Sequence, residues 1–380
     1  MRAQLLLAFA MLLPLHPLQA RYAHVDVVNV PVQRLTDNLE RQLREEPKNL
    51  TARKNLARVY AMAYALESDT VVVRAKNAKD DANLTPWFGY VAPLTYPVKP
   101  KRDDARRELS RQYLDKALEN YASALESAPD DLVAMMGHGW CLEQSGAKGK
   151  AIAEYRKIIQ QAWPQESKST STFGDFVTEE AARYLLPLLD KKKDEKEIAI
   201  LEDRVARLQK IGRAITPLVV PLGAGRAARD VEDRSATVAF DADGSGMPKR
   251  WTWIARDAGW LVYDPHHTGH ITSGLQLFGS VTFWMFWQDG YQALAALDDN
   301  GDGQLSGEEL EGLAIWQDGN GNGISESGEV KSLQELGIVA LSIHSERDAA
   351  HPDKTGFSPQ GARFSDGSSR PTYDIILQPR

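Results

Sequence analysis

Cysteine is nearly absent from this chain. Its 380 residues include one, Cys141, which excludes an intramolecular disulfide and leaves stability to packed cores and to any metal the chain binds. A lone thiol in the helical stretch HGWCLEQSG reads as a small buried side chain. The other reading, a Cys–His nucleophile pair with His138, rests on i and i+3 sharing a helix face. Long apolar runs are also missing. The longest, Leu5 to Leu15, follows Arg2 and precedes the small residue Ala20. Too short to span a bilayer, it reads as a signal peptide over residues 1–20 and predicts a periplasmic or secreted protein without a transmembrane segment. No Gly-x-Ser-x-Gly elbow, His-Glu-x-x-His pair or nucleotide-binding loop is present, which argues against an enzyme. Basic residues are scarce in the C-terminal part: residues 231–380 hold 10 Lys/Arg against 22 Asp/Glu, whereas residues 21–230 hold 34 against 30. That balance excludes a nucleic-acid partner there and favours bound cations.

What is present divides into two unlike halves. ALENYASAL starting at Ala117 and AIAEYRKII starting at Ala151 are 34 residues apart, with Tyr121 and Tyr155 in register and Gly139 and Gly146 between them. PKNLTARKNLA from Pro47 aligns with PDDLVAMMGHG from Pro129, placing Leu50 on Leu132, Ala52 on Ala134 and Ala57 on Gly139. A fixed period with small residues facing aromatics is the mark of stacked helix pairs. These residues resemble the tetratricopeptide repeat (TPR). The resemblance covers roughly residues 34–212 and implies an antiparallel helical array that binds a protein or peptide. An insertion at 66–103, with Trp87, Phe88, Tyr90 and Tyr96 among prolines, reads as an ordered loop or a docking arm. AITPLVVPLGAGRAARD reads as part of a linker over 213–235 that has room for a short strand.

Beyond the linker, LDDNGDGQLSGEELEGLAIWQDGNGNGISESGEV holds two calcium-loop patterns beginning twenty residues apart. Oxygen ligands are needed at positions 1, 3, 5, 7, 9 and 12, with glycine at 6 for the sharp turn. The first loop offers Asp298, Asn300, Asp302, the Gln304 carbonyl, Ser306 and Glu309 around Gly303, with Leu305 as the apolar anchor. The second offers Asp318, Asn320, Asn322, the Ile324 carbonyl and Glu329 around Gly323. With two carboxylates against three, the second is expected to bind calcium more weakly. Its apolar residue, Ile324, stands at position 7 and Ser325 at 8, which puts loop-to-loop strand pairing in doubt. The short spacing predicts one helix, Gly307 to Gln317, between the sites. Two worn copies begin at Asp241, where Thr252 replaces the last carboxylate, and at Asp264, where His266 and Thr268 replace the Asx pair and Gln276 follows. Both are expected to be empty. Asp264, His266 and His270 would suit zinc or copper better than calcium.

The order of these loops, the GELxxLxxxGI-like stretch Gly328–Ile338 and the strand VALSI resemble a bacterial EF-hand-like calcium-binding domain. With GARFSDGSSRPTYDIIL as its closing hairpin, the resemblance covers about residues 236–376, within an expected domain over 236–380. It implies calcium-dependent folding and a helix over the GELxxLxxxGI stretch. The expected fold class is mainly α: a TPR-like array over 21–212, then an α+β EF-hand-like domain with short strands. The expected function is an exported calcium-binding scaffold, with one or two calcium ions. The alternatives are a calcium-stabilised hydrolase and a surface protein that binds polysaccharide through exposed tryptophans.

Overall fold

The computed structural model describes residues 28–73, 104–168, 177–208, 214–223, 225–244, 248–285, 287–347 and 356–380. The expected signal peptide lies outside them, as do Trp87, Phe88, Tyr90 and Tyr96 of the insertion. Strand β1 (Val28–Pro31) leads into α1 (Val32–Glu45) and α2 (Leu50–Leu66), after which β2 (Thr70–Val73) returns to pair with β1. Helices α3 (Asp104–Ser127), α4 (Leu132–Gln144), α5 (Lys148–Glu166), α6 (Thr178–Leu185) and α7 (Glu195–Leu208) follow, each packed on the one before it.

The internal alignment is visible in the helix starts. Leu50 and Leu132 open α2 and α4, each preceded by a capping residue at the aligned position. Asn49 accepts from the Ala52 amide and Asp131 from the Ala134 amide, which satisfies otherwise orphaned N–H groups. Tyr121 and Tyr155 are both fully buried against glycines of α4. A Cβ at Gly137 would lie 2.1 Å from the Tyr121 ring, and one at Gly139 would lie 3.1 Å from the Tyr155 ring. Cys141 is buried in the same helix, and burial pushes its thiol far up from the ordinary value. His138 turns its Nδ1 to Glu154 at 3.0 Å instead. The nucleophile reading therefore fails.

The C-terminal half overturns the expected mainly-α class. The chain is α+β, and its largest layer is a nine-stranded antiparallel sheet. In chain order the half contains β3 (Leu218–Pro221), α8 (Ala228–Val231), β4 (Glu232–Phe240), β5 (Lys249–Ile254), β6 (Ala258–Tyr263), α9 (Gly290–Ala295), β7 (Gln304–Ser306), β8 (Leu313–Trp316), β9 (Val330–Ser332), β10 (Ile338–Ser342), β11 (Glu346–Arg347), β12 (Gly356–Phe364) and β13 (Ser369–Asp374). The sheet runs β7-β10-β12-β13-β3-β6-β8-β9, with β11 beside β12, while β4 and β5 form a separate hairpin. Three of its strands, β3, β6 and β8, are buried at every position. Strands covered on both faces show a continuous apolar run in place of alternation, and such a run is as compatible with a helix as with a strand.

The predicted helix from Gly307 to Gln317 fails for that reason. Only Gly307–Leu310 makes a tight helical turn; Gly312 then takes φ +78°, and Leu313–Trp316 pairs with β6 on one side and β9 on the other. The helix expected over 328–338 is likewise absent: β9, a turn and the start of β10 occupy it. The strand and closing hairpin expected further on do form, as β10 and as β12–β13. Within the expected linker, β3 pairs with β13 and β6 in the middle of the sheet, so the C-terminal unit begins before residue 236.

Trp251, Trp253, Trp260 and Trp316 are fully buried, and Trp287 is nearly so. With Phe240, the Trp253, Trp260 and Trp316 rings form one cluster with centroids 5.1–5.8 Å apart, a packing mode aromatic rings favour. These rings build the core, whereas the polysaccharide alternative called for exposed tryptophans.

Asp374, at the end of β13, is buried and accepts the Gly290 amide at 3.1 Å. Burial, and after it the nearby Asp289, holds its carboxyl well above the usual carboxylate range. A folded-state pKa above the unfolded one means that the native state keeps its proton more tightly. This contribution is complete at low pH and is lost as pH rises from about 4 toward the folded value. Asp374→Asn keeps the acceptor for Gly290 and should flatten the decline of melting temperature with rising pH. Thermal scans in chelator across a pH series check this; an unchanged slope would contradict it.

Candidate metal centre

Asp298 begins the first loop and Glu309 ends it. Both are buried, at 4% and 5% exposure, although Asn300 and Asp302 between them are exposed. The Asp298 carboxylate accepts the Gly301 amide at 2.7 Å and the Gly303 amide at 3.2 Å. Glu309 accepts the Asp299 and Asn300 amides on Oε1 and the Ser306 amide on Oε2. Asn300 and Asp302 each accept the amide two residues ahead, which curls the segment. Gly303 makes the turn with φ +87°. Leu305 is the buried anchor expected of it, and β7, from Gln304 to Ser306, pairs with β10.

The Asp318 loop repeats this lattice. Asp318 accepts the Gly321 and Gly323 amides, both at 2.8 Å, and Glu329 accepts the Gly319 and Glu326 amides. Asn320 and Asn322 again take the amide two residues on. Two groups that sequence reasoning missed complete the site. Trp253 of β5 donates its indole N–H to Asp318 at 2.8 Å, from 65 residues away. Glu326 at position 9 accepts both the Asn320 and the Asn322 side-chain amides. The pattern itself could have revealed Glu326, since an acid stood where the first loop has Ser306; nothing local signalled Trp253. With Glu326 counted, each loop holds three carboxylates, and the charge argument that ranked the first loop above the second lapses.

The position-8 residues also explain themselves. Ile324 is 60% exposed, and Ser325 turns inward to accept the Ile271 amide at 2.7 Å. Ile271 is position 8 of the worn Asp264 loop, so these two loops meet as paired calcium loops would, through a hydroxyl in place of a main-chain bond. The first and second loops do not pair: they lie at opposite rims of the sheet, the first running through β7 and the second joining β8 to β9.

The worn loops depart from this pattern in different ways. Asp264 accepts the Thr268 and Gly269 amides, as its counterparts do. Gln276 takes the place of the final glutamate: its Oε1 accepts the Thr272 amide, and its Nε2 donates to the His270 carbonyl, the position-7 oxygen that would face a metal. In the Asp241 loop, the Lys249 ammonium contacts the Asp243 carboxylate directly. Among the described residues no three His, Cys, Asp or Glu side chains are grouped to hold an ion, and Asp264, His266 and His270 form no such group. In the two intact loops, no Lys, Arg or His of the described residues forms an ion pair with Asp298, Asp302, Glu309, Asp318, Glu326 or Glu329.

This arrangement coincides with a family match. Residues 224–378 match the SPM domain. The match begins just after β3 and ends within the C-terminal tail, so it spans the β4–β5 hairpin, all four loops and the strands of the sheet other than β3. A curated relative, iron-regulated protein FrpA of Neisseria meningitidis serogroup C, is 38% identical over 109 residues, covering 27% of this chain. The chain spans about a tenth of the length of that relative. Among the described residues, no helix is long and apolar enough to cross a membrane.

Trp253→Phe keeps the ring in the aromatic cluster and removes one donor from a buried carboxylate. Loss of such a bond costs about 1–3 kcal/mol. Urea unfolding of the metal-free protein should show a loss of that size; an unchanged midpoint would mean the indole contributes nothing to the loop.

Proposed function

We propose that this is an exported, non-catalytic scaffold whose C-terminal region is ordered by two calcium ions, one in the Asp298 loop and one in the Asp318 loop. The observation that carries this reading is the burial of Asp298, Glu309 and Asp318 among N–H donors without a neutralising cation, whereas the worn Asp241 loop pairs Asp243 with Lys249. Buried anions are expensive unless a cation or a metal offsets them. The donors on offer are carboxylate, amide and carbonyl oxygens, the set a hard cation prefers. Calcium would supply positive charge and close each loop. We read the role as structural, because β7 lies within the first loop and the second loop joins β8 to β9. The N-terminal apolar segment supports export. The repeat register and its matched caps support a TPR-like array that docks a protein or peptide.

Calorimetry on the whole protein should find two ions bound, in the range of about 10⁻⁴–10⁻³ M typical of extracellular modules. Glu309→Gln and Glu329→Gln should each remove one. The Trp253–Asp318 bond should make tryptophan emission follow the second site alone, so Glu329→Gln abolishes the optical response and Glu309→Gln spares it. No calcium uptake, together with melting indifferent to chelator, would sink the proposal.

A further inference from the structure

The first loop is held from behind by a helix that belongs to the other half of the chain. Arg34, Asn38, Arg41 and Gln42 share one face of α1, at the one-turn spacing that aligns side chains. All four donate to the segment that joins α9 to the loop. Gln42 donates to the Ala295 carbonyl at 3.1 Å, Asn38 to the Ala296 carbonyl at 3.0 Å and Arg34 to the Leu297 carbonyl at 3.1 Å. Arg41 donates to the carbonyls of both Asp298 and Asp299. The Asp299 carboxylate is gripped as well, by Arg34 at 2.9 Å and by Asn38 at 2.8 Å. Asn38 is 3% exposed, so this is a built contact and not a surface pairing.

Asp299 is the hinge of the argument. Its carboxylate and carbonyl are bound by α1, and its amide donates to Glu309 Oε1 at 2.8 Å. Glu309 is the closing acid of the loop, so one residue transmits between the helix and the group that would wrap the ion. Among the described residues, the second loop's partners outside it, Trp253 and Ile271, come from its own half.

We propose that α1 is the positioning element of the first calcium site, and that calcium there and docking of the helical array on the C-terminal half are coupled. This rests on the calcium reading above. Without an ion, Asp298, Asp302 and Glu309 repel one another, and the loop that α1 grips loses its single conformation. With an ion, Glu309 is fixed, Asp299 is fixed with it, and the acceptors of α1 stand in place. Linkage makes the effect reciprocal: whatever calcium adds to docking, docking adds to calcium affinity.

The test uses the full-length protein and reads both directions. Hydrogen exchange of the α1 amides should slow on adding calcium, in the unaltered protein and in Glu329→Gln, and should be insensitive to calcium in Glu309→Gln. The double variant Asn38→Ala/Arg41→Gln, calorimetrically titrated in the Glu329→Gln background, should bind calcium about tenfold more weakly at the first loop, within the usual range of such couplings. In the Glu309→Gln background the same double variant should leave the second loop unchanged. Equal weakening at both loops, or α1 exchange that ignores calcium while both ions bind, would overturn the coupling and leave the calcium reading intact. Absence of calcium binding in the unaltered protein would overturn both.

Discussion

A buried aspartate that gathers main-chain N–H groups is the constraint on which the C-terminal half depends. Asp264, Asp298 and Asp318 each begin a loop, and each accepts the amide of the glycine five residues on. The hydrogen bonds fold the chain back on itself but leave net negative charge in a place with little water. What differs between loops is how that charge is met. Gln276 substitutes a neutral amide that donates to the loop's own carbonyl, and Lys249 brings an ammonium to Asp243. Glu309 and Glu329 do the opposite and add a second carboxylate. On the calcium reading proposed above, it is these two loops that would take an ion.

The parts of this organisation legible in the sequence are those fixed by neighbours a few residues apart. Gly303 and Gly323 mark turns because alternate acids precede them; Asn49 and Asp131 mark helix starts at aligned positions; SDGS marks the turn between β12 and β13. The parts that were not legible depend on distant partners. Trp253 gave no local sign that it would reach Asp318. Arg34 and Arg41 hold residues more than two hundred positions away, which no local pattern announces. Leu313–Trp316 is apolar at every position, so only its pairing with β6 and β9 makes it a strand, and Gly312 is the one local hint that a helix could not pass. That misreading, with the helix expected over 328–338, hid much of the sheet that makes the molecule α+β.

The same short spacing acquires a different meaning in this fold. Two loops separated by a helix would have formed a compact pair sharing one hydrophobic anchor. Separated by a strand of a wide sheet, they sit far apart in strand order, and each answers to different surroundings: the first to α1, the second to Trp253 and the Asp264 loop. Independent surroundings allow equal ligand sets to respond differently.

The placement of the loops at the rims of the sheet bears on how the protein behaves in company. The outermost strands, β7 and β9, are three residues each, and each is continuous with a loop: β7 lies inside the first, and β9 leaves the second. A sheet rim with free main-chain groups is a template on which another chain can add a strand. Here both rims end in short strands bent away by tight, acid-rich turns, so no long flat edge is offered. Were either loop to slacken, β10 or the wholly buried β8 would become the new rim, and β8 in particular would present an apolar face to any neighbour. The acids at the two ends of the sheet thus stand where an exposed rim would otherwise begin.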